Sequence, residues 1–355
     1  MTTTQSQPIA FDEAKLNAFV GKAVGDWGTL TSAALVVIGD KLGLYAALAD
    51  AGPATPDELA QRTGTVERYV RPWLINQAAG GYLDYDPSSG RFHLPPEHAA
   101  ALGAVAGAYH LFTAAMKAEP RITEAFKSGQ GMLWGEHDAA LFEGTERFFR
   151  PGYEQNLVQN WIPALDGVEA KLQAGATVAD VGCGHGASTL ILAQAYPRSR
   201  FIGFDNHEGS ILRAREAASQ AGLSDRVTFD VAGADAYSAP VTGYDLIGFF
   251  DCLHDMGDPV GAIRHAARTL TDHGAVLLVE PMAGERIEDN LNPVGRVYSG
   301  ASVLLCTPHA VAEGGAALGT IATDAALRDV VNTGGLSRFR RATETPFNRV
   351  FEARR

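Results

Sequence analysis

The sequence predicts an α/β protein in which a doubly wound, mainly parallel sheet follows a smaller, mostly helical domain. Over the second half of the chain, apolar runs alternate with helical patterns, an order typical of parallel sheets with helical crossovers. An apolar run ends at Asp180 and is followed by Gly182, Gly184 and Gly186 before a helical pattern begins. Near the start, three helical patterns and a hairpin follow one another, which indicates a separate domain.

Length, charge and cysteine usage restrict the class of protein. The chain has 355 residues, enough for two domains, and a formal net charge of −12. This charge argues against an extended nucleic-acid surface, which needs clustered Lys and Arg. We find neither a run of membrane-span length nor a signal peptide. Cys183, Cys252 and Cys306 predict reduced thiols and a cytoplasmic protein, and they are too few and too scattered for a zinc site.

The first domain is predicted to be a winged helix within residues 1–105. Residues 14–50 have apolar residues at helical spacing, and Gly52 stops this helix. Thr55 begins a short helix, with proline at the first position and acids in the first turn. A further helix over 66–79 and a hairpin complete the pattern.

A winged helix either reads DNA or binds a partner chain. The helix predicted over 66–79 contains Arg68 and Arg71 but also Glu67. The hairpin carries Asp84 and Asp86. A DNA reader needs cations that contact phosphates at these places. We therefore expect a homodimerisation domain, and a regulator that uses this domain on DNA is the alternative from another class.

Residues 106–165 are predicted to be a helical connector rich in glycine and aromatic residues. Two interpretations remain open for its aromatic and imidazole side chains, namely the roof of a substrate pocket or packing between two domains. The candidates are Trp134, His137, Phe148, Phe149 and Tyr153.

The last domain, predicted over 166–355, contains the sheet. Its strands are expected at 178–181, 201–204, 227–231, 244–250 and 275–280, with a final pair around 338–341 and 348–353. In such sheets the ligand binds at the carboxyl ends of the parallel strands.

The glycine turn predicts a nucleotide-like cofactor without identifying it. Gly182, Gly184 and Ala187, with Asp205 about 20 residues further on, also satisfy the dinucleotide fingerprint. Glycine permits positive φ and a close approach of a ligand to the backbone. The turn by itself is therefore compatible with NAD.

Acidic residues at the strand ends favour a cationic nucleoside without phosphates. Asp180 precedes the glycines, where it either organises the turn or faces a cationic ligand. Asp205, followed by Asn206, is suited to accept hydrogen bonds from ribose hydroxyls, and Asp235, after Ala234, from an adenine amine. No basic residue is placed to bind a pyrophosphate.

These strand ends resemble those of the Rossmann-like, class I S-adenosylmethionine-dependent methyltransferases. With the winged helix in front, the chain resembles small-molecule O-methyltransferases, especially an actinobacterial-type group, that dimerise through such a domain. The resemblance implies S-adenosylmethionine as cofactor, with Gly182 and Gly184 against its methionine moiety, Asp205 on the ribose and Asp235 on the adenine.

The residues after the fourth and fifth strands predict the chemistry. His254 resembles the general base of the His-Asp-Trp-x-Asp segment in plant-type O-methyltransferases, although Met256 replaces its tryptophan. Glu280 matches the carboxylate that orients this histidine. A phenol with a pKa near 10 is weakly ionised at neutral pH, so a base that removes its proton promotes attack on a methyl group. The alternative is that His254 caps a helix. Asp251 either touches the cofactor amine or the acceptor, or it shapes a turn.

The segment after the fifth strand is expected to line the acceptor site, with Asn290, Arg296 and Tyr298 as polar candidates. N- or C-methylation of a small metabolite by proximity is the nearest alternative among enzymes, and a dehydrogenase is the next. No metal is expected, because the acids lie on separate strand ends.

Overall fold

The computed structural model describes residues 11–315 and 317–355. The chain divides into two compact units, the first ending at Tyr109 and the second running from His110 to Arg355. The first boundary therefore lies four residues beyond the expected one at residue 105. Nearly all of the expected connector, 106–165, belongs to the second unit.

The first unit is a winged helix, in the predicted order of elements. One expectation is wrong: residues 14–50 do not form one helix, because Gly43 adopts a left-handed φ of 68° and separates α1 from α2. The elements are α1 (Glu13–Lys41), α2 (Leu44–Ala51), α3 (Pro56–Thr63), α4 (Glu67–Ala79), the antiparallel strands β1 (Asp84–Asp86) and β2 (Arg91–His93), and α5 (Pro96–Ala115), which continues into the second unit.

The start of α3 confirms the predicted helix cap. The Thr55 hydroxyl accepts a hydrogen bond from the backbone N–H of Glu58 at 3.3 Å, and the Glu58 carboxylate accepts one from the N–H of Thr55 at 3.0 Å. The same carboxylate binds both terminal nitrogens of Arg91 on β2, at 2.5 and 2.6 Å. Glu58 therefore joins the short helix to the wing.

The second unit is built on a seven-stranded sheet with the order β5-β4-β3-β6-β7-β9-β8, and the predicted strands are confirmed. All neighbours are parallel except the two pairs that contain β9. The strands are β3 (Thr177–Val181), β4 (Arg200–Asp205), β5 (Val227–Val231), β6 (Tyr244–Phe250), β7 (Leu270–Pro281), β8 (Arg338–Glu344) and β9 (Asn348–Arg354). The helices are α6 (Glu119–Ser128), α7 (Ala140–Asn156), α8 (Val168–Ala174), α9 (Ala187–Ala195), α10 (Glu208–Gln220), α11 (Pro259–Thr269), α12 (Pro293–Ala301), α13 (Thr307–Ala312) and α14 (Asp324–Thr333).

Both faces of the sheet are buried, as expected for a doubly wound fold. Val178 and Leu277 belong to the hydrophobic cluster on one face. Ala179 and Leu278, the next residues along the same strands, belong to the cluster on the other. This alternation follows from the two-residue period of a strand. The chain leaves β3 toward β4 on one side and later returns to β6 on the other. Sheets of this class bind ligands at such a reversal of strand order, at the carboxyl ends of the strands.

One helical stretch contradicts the expectation that no segment is long and apolar enough to span a membrane. Within the described residues, Pro96–Ser128 is long and apolar enough to cross a bilayer, and the bent pair α1 and α2 would be a second if it formed one span. Core helices of water-soluble proteins pass the same test, and 39% of the apolar window in Pro96–Ser128 is buried within the protein. The stretch is therefore weak evidence for a membrane span.

We expect Gly186→Ala to destabilise the protein more than Gly184→Ala. Both glycines have positive φ, 79° and 53°, so alanine costs about 1–2 kcal/mol at either position. A Cβ at 186 would lie 2.6 Å from Cζ of Phe229, whereas a Cβ at 184 meets nothing within 4 Å. Overpacking should cost Gly186→Ala about 1–3 kcal/mol more. Urea denaturation of the two variants measures the difference, and equal losses would contradict the packing argument.

Candidate active site

The glycine turn after β3 is anchored to the end of β4. The backbone N–H groups of Gly182 and Cys183 both donate to the carbonyl of Phe204, at 2.8 and 3.0 Å. The N–H of Gly184 donates to Oδ2 of Asp205 at 2.9 Å. The predicted positive φ values are confirmed, at 74° for Gly182 and 53° for Gly184. The turn is therefore held by main-chain bonds and by one carboxylate.

Gly182 and Gly184 meet different surroundings. A Cβ at 182 would lie 2.8 Å from Sγ of Cys252, so packing against the end of β6 requires glycine there. A Cβ at 184 would project into open space. The turn thus presents bare backbone at Gly184, where a ligand approaches without a side chain in between.

Asp180 organises the turn and keeps one oxygen unused. Its Oδ2 accepts hydrogen bonds from the hydroxyls of Ser188 and Thr189, at 2.6 and 2.5 Å, in the first turn of α9. Its Oδ1 is buried and has no hydrogen-bond partner among the described residues. Burial raises the pKa of Asp180 to about 6. Such a buried oxygen is suited to a donor or a cation on a ligand.

The other predicted cofactor residues lie at the ends of β4 and β5. Asp205 accepts from the N–H of His207 at 2.9 Å through Oδ1, besides its bond to the glycine turn. Burial raises its pKa. Asn206 and Asp235 are exposed, and Ala234 is half-buried. The structure therefore brings Asp205 into the turn and leaves the side chains of Asn206 and Asp235 facing solvent.

Asp251 follows β6 in an unusual conformation. Its φ is 52°, a left-handed value that few non-glycine residues adopt. Its carboxylate accepts from Nδ2 of Asn348 at 2.7 Å and from the hydroxyl of Tyr153 at 3.2 Å. Burial, with the neighbouring charge of Glu280, raises the pKa of Asp251 to about 8. Such strain combined with burial is characteristic of functional sites.

His254 and Glu280 form a buried pair. Nδ1 of His254 lies 2.7 Å from Oε2 of Glu280, and the residues are 3% and 0% exposed. Burial disfavours the imidazolium, but the Glu280 carboxylate outweighs it and holds the pKa of His254 well above its usual value. Oε1 of Glu280 is buried without a hydrogen-bond partner among the described residues. The carboxylate therefore fixes the orientation of the ring and leaves its other nitrogen for a different partner.

The other side of the His254 ring meets residues that the sequence analysis did not bring together. Sγ of Cys306 lies within 4.8 Å of a ring nitrogen of His254. Ligand atoms of His254, Asp255 and Cys306 all lie within 4.8 Å of one another. Asp255 accepts from the indole N–H of Trp134 at 3.0 Å. No local sequence signal connects Cys306 to His254, so this group was missed.

Helix α7 lies beside the carboxyl ends of the strands. His185, in the glycine turn, binds Glu146 through Nδ1 at 2.8 Å, a contact that the sequence did not predict. Although burial raises it, hydrogen bonds from His185 and Arg150 lower the pKa of Glu146 to about 2. Phe142 stacks on His207 with ring centroids 4.1 Å apart. Together with the bond from Tyr153 to Asp251, these contacts fix α7 over the glycine turn and the end of β6.

The remaining acceptor-site candidates fall into different environments. His137 is 8% exposed, and neither ring nitrogen has a hydrogen-bond partner among the described residues. Tyr298 is buried and donates to the carbonyl of Phe347 at 2.8 Å. The amide of Asn290 binds the backbone of its own loop, at Gly284 and Arg286. Phe148 is half-buried against the cluster that contains Leu141 and Trp134, and Arg296 is exposed on α12.

Each unit matches a family model over part of its length. Residues 172–324 match the family model described as a methyltransferase domain. Residues 31–104 match the model described as an Rv2258c-like winged HTH domain. The first match lies within the second unit and the other within the first unit, and both agree with the resemblance noted in the sequence.

Individual proteins are similar to the chain in sequence or in fold. The 27-O-demethylrifamycin SV methyltransferase of Amycolatopsis mediterranei is 30% identical over 188 residues, which are 49% of this chain and 64% of that protein. The match thus spans less than two thirds of this curated relative. The structure of mitomycin 7-O-methyltransferase has a TM-score of 0.68 at 18% identity, covering 97% of this chain and 99% of that one. Human N-acetylserotonin methyltransferase, in complex with SAM, has a TM-score of 0.66 at 16% identity, covering 100% and 99%.

We expect the stability of the ligand-free protein to fall between about pH 4 and pH 8 on account of Asp251. A carboxyl whose pKa is raised to about 8 on folding, from about 3.9 unfolded, binds its proton more tightly in the folded state. Its contribution to stability is complete below the unfolded pKa and is lost as pH rises through the folded one. Thermal unfolding of wild type and Asp251→Asn across this range measures the difference.

Asp235→Asn is the matched control for this experiment, because that side chain is exposed. The slope of melting temperature against pH should flatten in Asp251→Asn and persist in Asp235→Asn. An unchanged slope in Asp251→Asn would contradict the assignment of the raised pKa to this carboxyl.

Proposed function

We propose that this chain, a methyltransferase-domain protein with an N-terminal winged helix, is an S-adenosylmethionine-dependent O-methyltransferase of a small hydroxylated molecule. His254 acts as the general base, and Glu280 orients it. The observation that carries the proposal is the buried His254–Glu280 pair, 2.7 Å apart, at the same sheet edge as the glycine turn. A dinucleotide-binding fold alone has no need of such a pair there.

The residues around the glycine turn fit a cationic sulfonium nucleoside. Gly184 presents bare backbone, and Asp180 keeps a buried oxygen without a partner. The carboxyls of Asp180 and Asp251 are both buried and have raised pKa values, so a nearby positive charge stabilises their ionised forms. Asp205 keeps lone pairs for ribose hydroxyls beyond its two backbone bonds. When bound, S-adenosylmethionine supplies an electrophilic methyl group for an in-line displacement.

His254 removes the proton of the acceptor hydroxyl. Since Nδ1 faces Glu280, the proton goes to the other ring nitrogen, which has to be unprotonated at that moment. The resulting imidazolium is stabilised by the Glu280 carboxylate. A ring nitrogen of His254 and Sγ of Cys306 lie within 4.8 Å of each other, and the acceptor hydroxyl is proposed to bind at the ring nitrogen that Glu280 leaves available.

The acceptor is proposed to lie among Trp134, His137 and Tyr153. The two unpartnered nitrogens of His137 suit an acceptor that carries polar groups, because a buried imidazole without partners is costly. Burial lowers the pKa of His137, which favours the neutral ring with one donor and one acceptor nitrogen. The names of the relatives, which refer to O-methylation of rifamycin and mitomycin compounds, support a small, hydroxylated acceptor.

We expect His254→Ala to reduce kcat by about 10²- to 10⁴-fold, the usual contribution of a general base. Calorimetry should show almost unchanged affinity for S-adenosylmethionine, because the ring is bonded to Glu280 rather than to the glycine turn. Glu280→Gln should give a smaller loss, since the amide still accepts a hydrogen bond from the ring but carries no charge. The variants are compared with wild type on a panel of phenols and polyketide-like alcohols.

Other outcomes select the alternatives. Equal turnover in His254→Ala would leave proximity as the mechanism and favour N- or C-methylation. Calorimetric binding of NAD without binding of S-adenosylmethionine or S-adenosylhomocysteine would contradict the proposed cofactor and indicate a dehydrogenase.

The enzyme is proposed to be a homodimer through its first unit. Helix α1 has 29 residues, of which Ser32, Val36 and Gly39 are the buried ones. Phe19 and Trp27 are 68% and 64% exposed on it. The same exposed apolar face on a second copy would cover this helix around a two-fold axis, where both subunits contribute the same surface. A second copy of the chain is therefore the occupant proposed for this surface.

We expect the double substitution Phe19→Glu with Trp27→Glu to shift the protein from dimer to monomer, because burying two carboxylates at the interface is costly. Sedimentation velocity at several protein concentrations measures the change. Leu212→Glu, on α10 and 57% exposed, is the control and should stay dimeric. A wild type that is monomeric at every concentration would contradict the proposed dimer.

A further inference from the structure

We propose that His254, Asp255 and Cys306 form a binding site for a borderline-soft divalent cation, with Zn²⁺ as the natural occupant. Binding of the ion is independent of the proposed methyl transfer. Its consequence, inhibition of the enzyme through loss of the base, rests on the proposed function.

The three side chains converge from two short irregular segments. His254 and Asp255 lie in the 3-10 turn Leu253–Asp255 after β6, and Cys306 ends the π-helical turn Ser302–Cys306 after α12. One ligand atom from each lies within 4.8 Å of the other two. In a tetrahedral zinc site, with bonds of about 2.0 to 2.3 Å, ligand atoms are about 3.5 Å apart. Small side-chain rotations therefore suffice to close the site.

The donor set matches the preferences of zinc. An imidazole nitrogen, a thiolate and a carboxylate oxygen are its three protein ligands in known sites, and three such ligands leave a fourth position for water. Magnesium and calcium prefer oxygen ligands, and a thiol disfavours them. His254 and Cys306 are buried, and Asp255 is partly buried. A solvated cluster of acidic residues would have neither nitrogen and sulfur donors nor buried ligands.

The surroundings of the ligands resemble those of a built metal site. Glu280 binds Nδ1 of His254 at 2.7 Å, which fixes the ring and leaves its other nitrogen for the ion. Trp134 donates its indole N–H to Oδ2 of Asp255 at 3.0 Å. Outer partners of this kind orient metal ligands and increase their basicity. Nδ1 of His254 and Oδ2 of Asp255 are occupied by these partners. The other ring nitrogen and the other carboxylate oxygen therefore remain available for the ion.

Binding of the ion and action of the base exclude each other. The thiol of Cys306 loses its proton to solvent as the sulfur–metal bond forms, and His254 gives its remaining lone pair to the ion. A histidine without that lone pair accepts no proton from an acceptor hydroxyl. Zinc therefore inhibits any reaction in which His254 is the base.

The test measures zinc binding to the full-length, reduced protein. Equilibrium dialysis followed by metal analysis should give about one Zn²⁺ per chain for wild type. Cys306→Ser should weaken binding at least about tenfold, and Trp134→Phe, which removes only the outer donor, by about 10- to 100-fold. Cys252→Ser is the matched control, because Cys252 donates to the carbonyl of Val181 and is not among the three ligands; it should bind zinc as wild type does.

Cobalt provides a second readout, since Co²⁺ in the same site should show thiolate-to-metal charge transfer that is absent in Cys306→Ser. Thermal unfolding verifies that each variant is folded. Absence of zinc binding in wild type, or binding that Cys306→Ser leaves unchanged, would overturn the site. Zinc binding without inhibition of an active enzyme would instead contradict the role of His254 as the base.

Discussion

The glycine turn depends on the end of β4, and the rest of the site depends on that turn. The carbonyl of Phe204 accepts two N–H groups of the turn, and the carboxylate of Asp205 accepts a third. These bonds hold Gly184 open to a ligand while Gly182 packs against Cys252. Because Cys252 follows Asp251 directly, the same packing aligns the end of β6, from which His254 follows.

Buried acidic groups are concentrated at the carboxyl ends of β3, β6 and β7. Asp180, Asp251 and Glu280 are each at most 9% exposed, and oxygens of Asp180 and Glu280 lack hydrogen-bond partners among the described residues. Burying a carboxylate is costly unless a partner compensates it. A cationic ligand near Asp180 and Asp251 and a protonated His254 beside Glu280 both reduce this cost. The carboxyl ends of these strands therefore favour the binding of positively charged groups.

His254 takes part in both proposals, as the base in methyl transfer and as a ligand of the metal ion. The contact of Glu280 with Nδ1 fixes the ring, which serves both the proposed proton transfer and the proposed binding of a metal. The occupant of the other nitrogen decides between them, and that position is shared by the proposed acceptor hydroxyl and the proposed ion. In this proposal a metal would inhibit the enzyme directly at the base rather than from a distant regulatory site.

The sequence alone determined the order of the strands and the position of the glycine turn. Two-residue and helical periodicities predicted the strands, and alternating glycines after an apolar run predicted the turn with its positive φ, because these signals lie in neighbouring residues. Only the tertiary structure decided which side chains meet. The bond from His185 to Glu146 and the approach of Cys306 to His254 join residues 39 and 52 positions apart. The left-handed Asp251 and the loop bonds of Asn290 likewise depend on packing, about which the periodicity of the sequence carries no information.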